Sequence, residues 1–260
     1  MFTNLKFGSA LVSLVYPATC LGCEARIDAI ENEQVDSSFA DQFCADCWKR
    51  LPTGPSNGCP KCGSFIKRPV TFGDRCALCF DTRFHFGRNV AMGSYRGLVK
   101  HLILCMKRDM DEVLAIHIGR LLGERMQQNE VVRQADMLVP VPIHWRRRIK
   151  RGFHASQVLA EGLSMAARIP VQRNLISCQR LTEKQGKLTG NKRFENVKNA
   201  FTLKPLTCID GANILIVDDV MTSGATISEL ARILKKAGAA EVNSAVVGRA
   251  TGNYQDTIQN

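Results

Sequence analysis

The chain has 260 residues, 45% of them hydrophobic and 23% charged, an ordinary globular composition with room for one or two domains. Its net charge of +11 favours anionic partners: nucleic acid, phosphorylated metabolites or acidic lipid. No run approaches the roughly 18 apolar residues that cross a bilayer, so no transmembrane segment is expected.

The chain opens with "FGSALVSLVYPATC" behind Lys6, which could pass for a short signal-peptide core. The apolar stretch is brief, and Pro17-Ala18-Thr19 is a poor lipoprotein cleavage context before Cys20. The expectation is an amphipathic helix packed on the next domain of a cytoplasmic protein.

Eight of the eleven cysteines form four CxxC pairs: Cys20 and Cys23, Cys44 and Cys47, Cys59 and Cys62, Cys76 and Cys79. A CxxC turn aims two thiolates at one point, and two such turns complete the tetrahedral sulfur site preferred by structural zinc. Twenty residues separate the first two pairs and thirteen the last two. Sequential pairing needs less chain crossing than the interleaved alternative, which spacing alone leaves open. Two zinc sites follow, each closed to further ligands and therefore a scaffold or binding surface. Cys105, Cys178 and Cys208 have no partner at ligand spacing and read as small apolar residues.

Residues 1–84 are rich in Cys, Pro and Gly and weakly periodic, so they read as a metal-dependent domain. Then "GLVKHLILCMKRDMDEVLAIHIGRLLGERMQQ" carries helical spacing, as one broken helix or two. "ADMLVPVPIH" is a short buried strand, and "RRRIKR" a turn with five basic residues in six positions. "ASQVLAEGLSMAARI" is a helix, residues near Leu175 to Cys178 are strand-like, and Thr182 to Asn199 form a long polar loop with one helical turn. "NILIVDDV" is a strand, "TISELARILKKAGA" a helix and "EVNSAVVGRA" a last strand. From residue 136 onward this alternation implies an α/β fold, a parallel sheet with covered faces, within a domain of residues 85–252 that precedes a tail at 253–260.

Ligands of such sheets sit beyond the carboxyl ends of the strands. Asp218 and Asp219 stand at such an end. Gly224 admits close backbone approach, the helix beginning near Thr226 offers unpaired amides, and Thr222, Ser223 and Thr226 add hydroxyls. Two acids beside an anion cradle make sense if the ligand also carries donors, as ribose or bound Mg²⁺ would, so a ribose 5-phosphate fits. The competing reading is a strand–helix turn whose acids cap the helix. The lysine of a GxxxxGK loop is missing, which disfavours nucleoside triphosphates.

"ILIVDDVMTSGAT" resembles the phosphoribosyl pyrophosphate (PRPP) signature of type I phosphoribosyltransferases. With the four CxxC pairs, "YRGLVKHLILCMKRD", "VPVPIHWRRRIKRGFHASQVLA" and "RLTEKQGKLTGNKRFENVKNAF", residues 20 to about 250 resemble the ComF family. That resemblance implies an N-terminal four-cysteine zinc-binding domain, a phosphoribosyltransferase-like domain and a role in natural competence. It implies that Asp218 and Asp219 are catalytic and grip the ribose hydroxyls, that Thr222, Ser223, Gly224, Ala225 and Thr226 hold the 5-phosphate, and that Val220 and Met221 also bind PRPP. Arg148, Arg151 and Gly152 would form the pyrophosphate loop, Lys107 would help with phosphate or shield the site, and Arg180 to Arg193 would be the lid. "RGFHASQ" departs from the family's Arg-Gly-Phe-Asn-Gln, which leaves His154 and Gln157 without a carried-over role. The segment between Cys23 and Cys44 is also longer than the family's.

Three readings remain: a PRPP-binding phosphoribosyltransferase of unassigned acceptor, a protein that supports DNA uptake, and a salvage enzyme with an added zinc finger. For single-stranded DNA, Trp48, Phe65, Phe84, Phe86 and Trp145 are candidate stacking residues, against the competing reading that each is core. Other DNA-uptake proteins are expected partners.

Overall fold

A computed structural model describes residues 19–27, 42–52, 58–65, 71–182, 192–205 and 208–251, without the side chains of residues 71, 72, 150 and 151. The expected N-terminal amphipathic helix, the tail and most of the lid, 183–191, lie outside the described residues. The chain divides into two compact units, Met1–Pro52 and Thr53–Asn260. Among the described residues no helix is long and apolar enough to cross a membrane.

In the first unit helix α1 spans Ala45–Arg50, and Thr19 and Arg26 form an antiparallel bridge across the first CxxC turn. Phe43 and Cys47 are buried within it.

In the second unit a minimal hairpin, β1 (Thr71–Phe72) and β2 (Arg75–Cys76), leads to β3 (Asn89–Ser94). Helices α2 (Gly97–Arg108), α3 (Glu112–Met126) and α4 (Glu130–Arg133) follow, so the long helical stretch is broken. Asp111 caps α3 by accepting from the Leu114 amide at 2.9 Å, which is why the chain restarts there.

Next come β4 (Met137–Pro140), α5 (Trp145–Arg151), α6 (Ala155–Ala167) and β5 (Ile176–Cys178). The chain then runs through α7 (Lys192–Val197), β6 (Phe201–Leu203), β7 (Asn213–Met221), α8 (Ala225–Lys236) and β8 (Glu241–Arg249).

The main sheet is parallel, in the order β3-β8-β7-β4. Along β7 the side chains alternate between two buried layers. Ile214 and Ile216 belong to the cluster that contains Ile227, Leu230 and Leu234 of α8, while Leu215 and Val217 are equally buried. Both faces are covered, as the unbroken apolar run requires. β5 stands apart from this sheet and pairs antiparallel with β6.

The structure differs from the sequence reading at the basic turn and at strands β3 and β6. The basic turn is the helix α5: the His144 ring accepts from the Arg146 amide at its start, and Gly152, at φ 62°, ends it. Its apolar members, Trp145 and Ile149, are exposed, so burial left no periodic signal there. Strands β3 and β6 were also unforeseen.

α3 and α6 cross closely at glycines. A Cβ on Gly162 would lie 2.1 Å from the Ile116 carbonyl oxygen, and one on Gly119 would lie 2.3 Å from that of Leu159. This contact sets α6 against β4 and β7, which brings its first turn to the end of β7.

Candidate functional site

β7 leaves the core at Val217 and delivers two acids in succession. Asp218 Oδ1 accepts from Ser156 Oγ at 2.8 Å and from the Asp219 amide at 2.9 Å. Burial, and then the charge of Asp219, push the Asp218 carboxyl up to about 7, against the pull of the Ser156 hydroxyl. Asp219 Oδ2 pairs with Lys107 Nζ at 2.5 Å. Lys107 comes from the last turn of α2, so one element neutralises the acid that another exposes.

Behind the acids the chain turns through Thr222 and Ser223 to Gly224, which sits at φ 79° before α8. A Cβ there would lie 2.6 Å from the Met221 methyl and 3.0 Å from the Phe84 ring, so both conformation and space require glycine. Ser223 Oγ accepts from the Ala225 amide at 3.4 Å. The twelve-residue helix α8 turns its first-turn amides and positive dipole end toward this loop.

A cavity of about 290 Å³ is lined by Tyr95, Lys107, Asp218, Asp219, Val220, Met221, Thr222, Gly224, Ala225, Thr226 and Ile227. The two acids, the lysine and the loop thus meet around one space. Arg148 and Gly152 lie on α5 and its end, outside this lining, and the Arg151 side chain is outside the described residues. Arg180, where the expected lid begins, donates to the carbonyls of Asn196 and Lys198, beyond its expected end, at 2.8 and 3.1 Å. His154 is held between the Val141 carbonyl at 2.9 Å and Gln157 Oε1 at 3.3 Å. It props the β4–α5 connection from beneath.

The sequence reading missed Ser156, Tyr95 and Arg249. Arg249, at the end of β8, is buried and donates from Nε to the Cys62 carbonyl at 2.8 Å and from Nη1 to the Met221 carbonyl at 3.1 Å. A charge ending the apolar run "SAVVGR" was its only local signal.

The eight CxxC cysteines form two groups, Cys20/Cys23/Cys44/Cys47 and Cys59/Cys62/Cys76/Cys79, so the pairing is sequential. In each group the sulfurs lie within 4.8 Å of one another. Neighbouring sulfurs are 3.7 Å apart between Cys62 and Cys76, and 3.8 Å apart between Cys59 and Cys79. Metal–sulfur bonds of about 2.3 Å in a tetrahedron put the sulfurs ~3.8 Å apart, so the second group suits one divalent ion. All four of its cysteines are buried, in one cluster with Phe86, Ile216, Met221 and Ile227. In the first group Cys20 Sγ accepts from the amides of Gly22 and Cys44 at 3.3 and 3.2 Å. Of the three remaining cysteines Cys105 is buried, Cys178 is half-buried and Cys208 is exposed, so the apolar reading fails at Cys208.

A parallel sheet with paired acids and a glycine loop at one strand end defines a protein of the type I phosphoribosyltransferase fold, with two four-cysteine groups that could each hold a metal ion. Residues 153–256 match the phosphoribosyl transferase domain. The chain is 31% identical over 204 residues to DNA utilization protein YhgH of Escherichia coli, covering 77% of this chain and 87% of that one. It is 25% identical over 227 residues to competence protein F of Haemophilus influenzae, covering 86% and 93%. Competence protein ComFC of Bacillus subtilis is 26% identical over 211 residues, covering 78% and 82%. The chain belongs to this ComF family of competence and DNA utilization proteins.

The raised Asp218 pKa makes a signed prediction. Between the usual carboxylate range and about 7 the folded chain binds a proton that the unfolded chain releases, so this group's effect on stability worsens as pH rises through that window. Asp218→Asn should therefore stabilise the protein more at pH 8 than at pH 5, by roughly 2–4 °C for each kcal/mol recovered. Thermal melts of both proteins at the two pH values check this, and an equal shift at both would contradict it.

Proposed function

We propose that the chain binds PRPP with Mg²⁺ at the 218–226 loop and supports DNA uptake or utilisation. The observation that carries this is the meeting of two strand-end carboxylates, a glycine loop at a helix start and Lys107 around one cavity. In this reading Asp218 and Asp219 accept from the ribose 2- and 3-hydroxyls, and the backbone and hydroxyls of 222–226 hold the 5-phosphate. Lys107 leaves Asp219 for the diphosphate, which Mg²⁺ also neutralises, and Arg148, Arg151 and Gly152 close over it. Diphosphate departure builds positive charge at the ribose C1, which two acids on the ribose hydroxyls would stabilise. A role in DNA uptake comes from the names of the relatives. Residues 85–252 supply this site, 1–84 the metal-binding part and 253–260 a tail, in a cytoplasmic protein.

Calorimetric titration with Mg²⁺–PRPP tests the site. Replacing Asp218 and Asp219 by Ala together should weaken binding at least tenfold, about 1.4 kcal/mol. Unchanged affinity in the double variant would place PRPP elsewhere.

We read the metal in each four-cysteine group as zinc, which the all-thiolate donor set suits. Metal analysis of the reduced protein should return two zinc ions per chain, and Cys44→Ser should leave one. A single ion in the unaltered chain would contradict the assignment.

A second ligand is favoured by α5. Trp145 is 58% exposed, with the Arg146 guanidinium 5.3 Å from its ring centre. A stacking ring beside basic residues suits single-stranded DNA, whereas Phe86 is buried and Phe84 stacks on it at 4.6 Å. Because α5 also carries Arg148 and Arg151 of the proposed diphosphate site, PRPP and DNA should compete partially. Saturating PRPP added to a labelled oligonucleotide complex should lower its anisotropy, and Trp145→Ala should weaken the complex by about 1–3 kcal/mol. Anisotropy insensitive to PRPP would show that the two surfaces are separate.

A further inference from the structure

Arg249 is 4% exposed, and its guanidinium faces backbone carbonyls on two sides. Nε donates to Cys62 O at 2.8 Å, and Nη1 donates to Met221 O at 3.1 Å and to the carbonyls of Thr222 and Ala250. One side chain thus joins the CxxC turn of the second four-cysteine group to the backbone of the 222–224 loop. That turn is fixed from its other side as well. Asn89 Nδ2 donates to the same Cys62 carbonyl at 3.2 Å, the Asn89 amide to Lys61 O at 3.0 Å, and Lys61 Nζ to Phe86 O at 2.7 Å. Gly63, at φ 67°, allows the approach, since a Cβ there would lie 2.8 Å from Asn89 O.

Peptide geometry gives this clamp a consequence for the loop. A trans peptide points its N–H opposite to its carbonyl. Pinning the carbonyls of Met221 and Thr222 on Arg249 therefore directs the amides of Thr222 and Ser223 to the opposite side of the loop. Charge links the clamp to the metal. Four thiolates around a divalent ion carry a net charge of about −2, a counter-charge for the Arg249 guanidinium. The metal also fixes the shape of the CxxC turn, so once it leaves, the Cys62 carbonyl that Arg249 grips loses its fixed place.

We propose that Arg249 is a positioning residue through which a metal bound by Cys59, Cys62, Cys76 and Cys79 holds the 222–224 backbone in its anion-binding conformation. The proposal rests on reading this loop as the phosphate cradle. The second four-cysteine group then acts as a support of the ligand site, and its loss is transmitted to the loop before the sheet itself is disturbed.

Amide hydrogen exchange on the full, metal-loaded chain tests this without any ligand. Arg249→Gln removes the cation, and Arg249→Lys keeps the charge but cannot span carbonyls on both sides. In each variant exchange at Thr222 to Gly224 should rise roughly tenfold, while β4 and α3 keep their protection and the metal content is unchanged. Stripping metal from the unaltered chain with a chelator should raise exchange in the same residues. Stripping Arg249→Lys should add less, because the link is already broken. No rise in Arg249→Lys, a rise shared equally with β4, or equal effects of stripping on both proteins would overturn the proposal. Mg²⁺–PRPP titration of the same proteins separates the two readings. If the unaltered chain takes up no PRPP, the ligand assignment fails while the exchange data still decide whether Arg249 couples metal to loop.

Discussion

Two adjacent carboxylates at the mouth of a buried strand are the constraint around which the larger unit is organised. Left alone they would repel each other and resist desolvation. The fold answers with a hydroxyl from α6 for Asp218 and an ammonium from α2 for Asp219. Both donors come from elements distant in sequence, so β7, α2 and α6 must be in place before the pair is tolerable. The glycine crossing of α3 and α6 is part of this, since it sets the depth at which Ser156 meets the strand end. Asp218 remains a group whose ionised form is disfavoured, which is what a site gains from when the ligand, and not the protein, supplies the compensating donors.

The second constraint is the irregular backbone between β7 and α8. A three-residue turn with a left-handed glycine has no helix or strand ladder to define it, so its surroundings set its conformation. Phe84 packs over Gly224, and Arg249 holds the carbonyls before it. Both supports lead back to the second four-cysteine group, through the Phe84–Phe86 stack and through Cys62. The Cys-rich segment from Cys59 onward and the sheet therefore share a core, although the texture of the sequence changes near residue 84.

Much of this was legible in the sequence. β4, β7, β8 and helices α2, α3, α6 and α8 bury apolar faces, and burial leaves a period that can be read. The four-cysteine groups were legible because metal geometry fixes ligand spacing within each turn. β3 was not, because "NVAMGS" has few β-branched residues. It is a strand because β8 pairs with it, with Gly93 opposite Gly248 where Tyr95 and Ile103 crowd the space. α5 escaped because its apolar residues face outward. Asp218, Asp219 and the loop were visible as a contiguous motif, whereas Lys107 was visible only through family resemblance. Ser156 and Arg249 act across gaps of 62 and 187 residues, on Asp218 and Cys62 respectively, and no local pattern encodes such a meeting.

A structure of the full chain with Mg²⁺–PRPP bound, at a resolution that shows the ribose, tests the central claim most directly. The account predicts the 5-phosphate against the amides of 222–226, the ribose hydroxyls on Asp218 and Asp219, and Lys107 turned from Asp219 toward the diphosphate. A ligand bound elsewhere, with the Lys107–Asp219 pair intact, would contradict it.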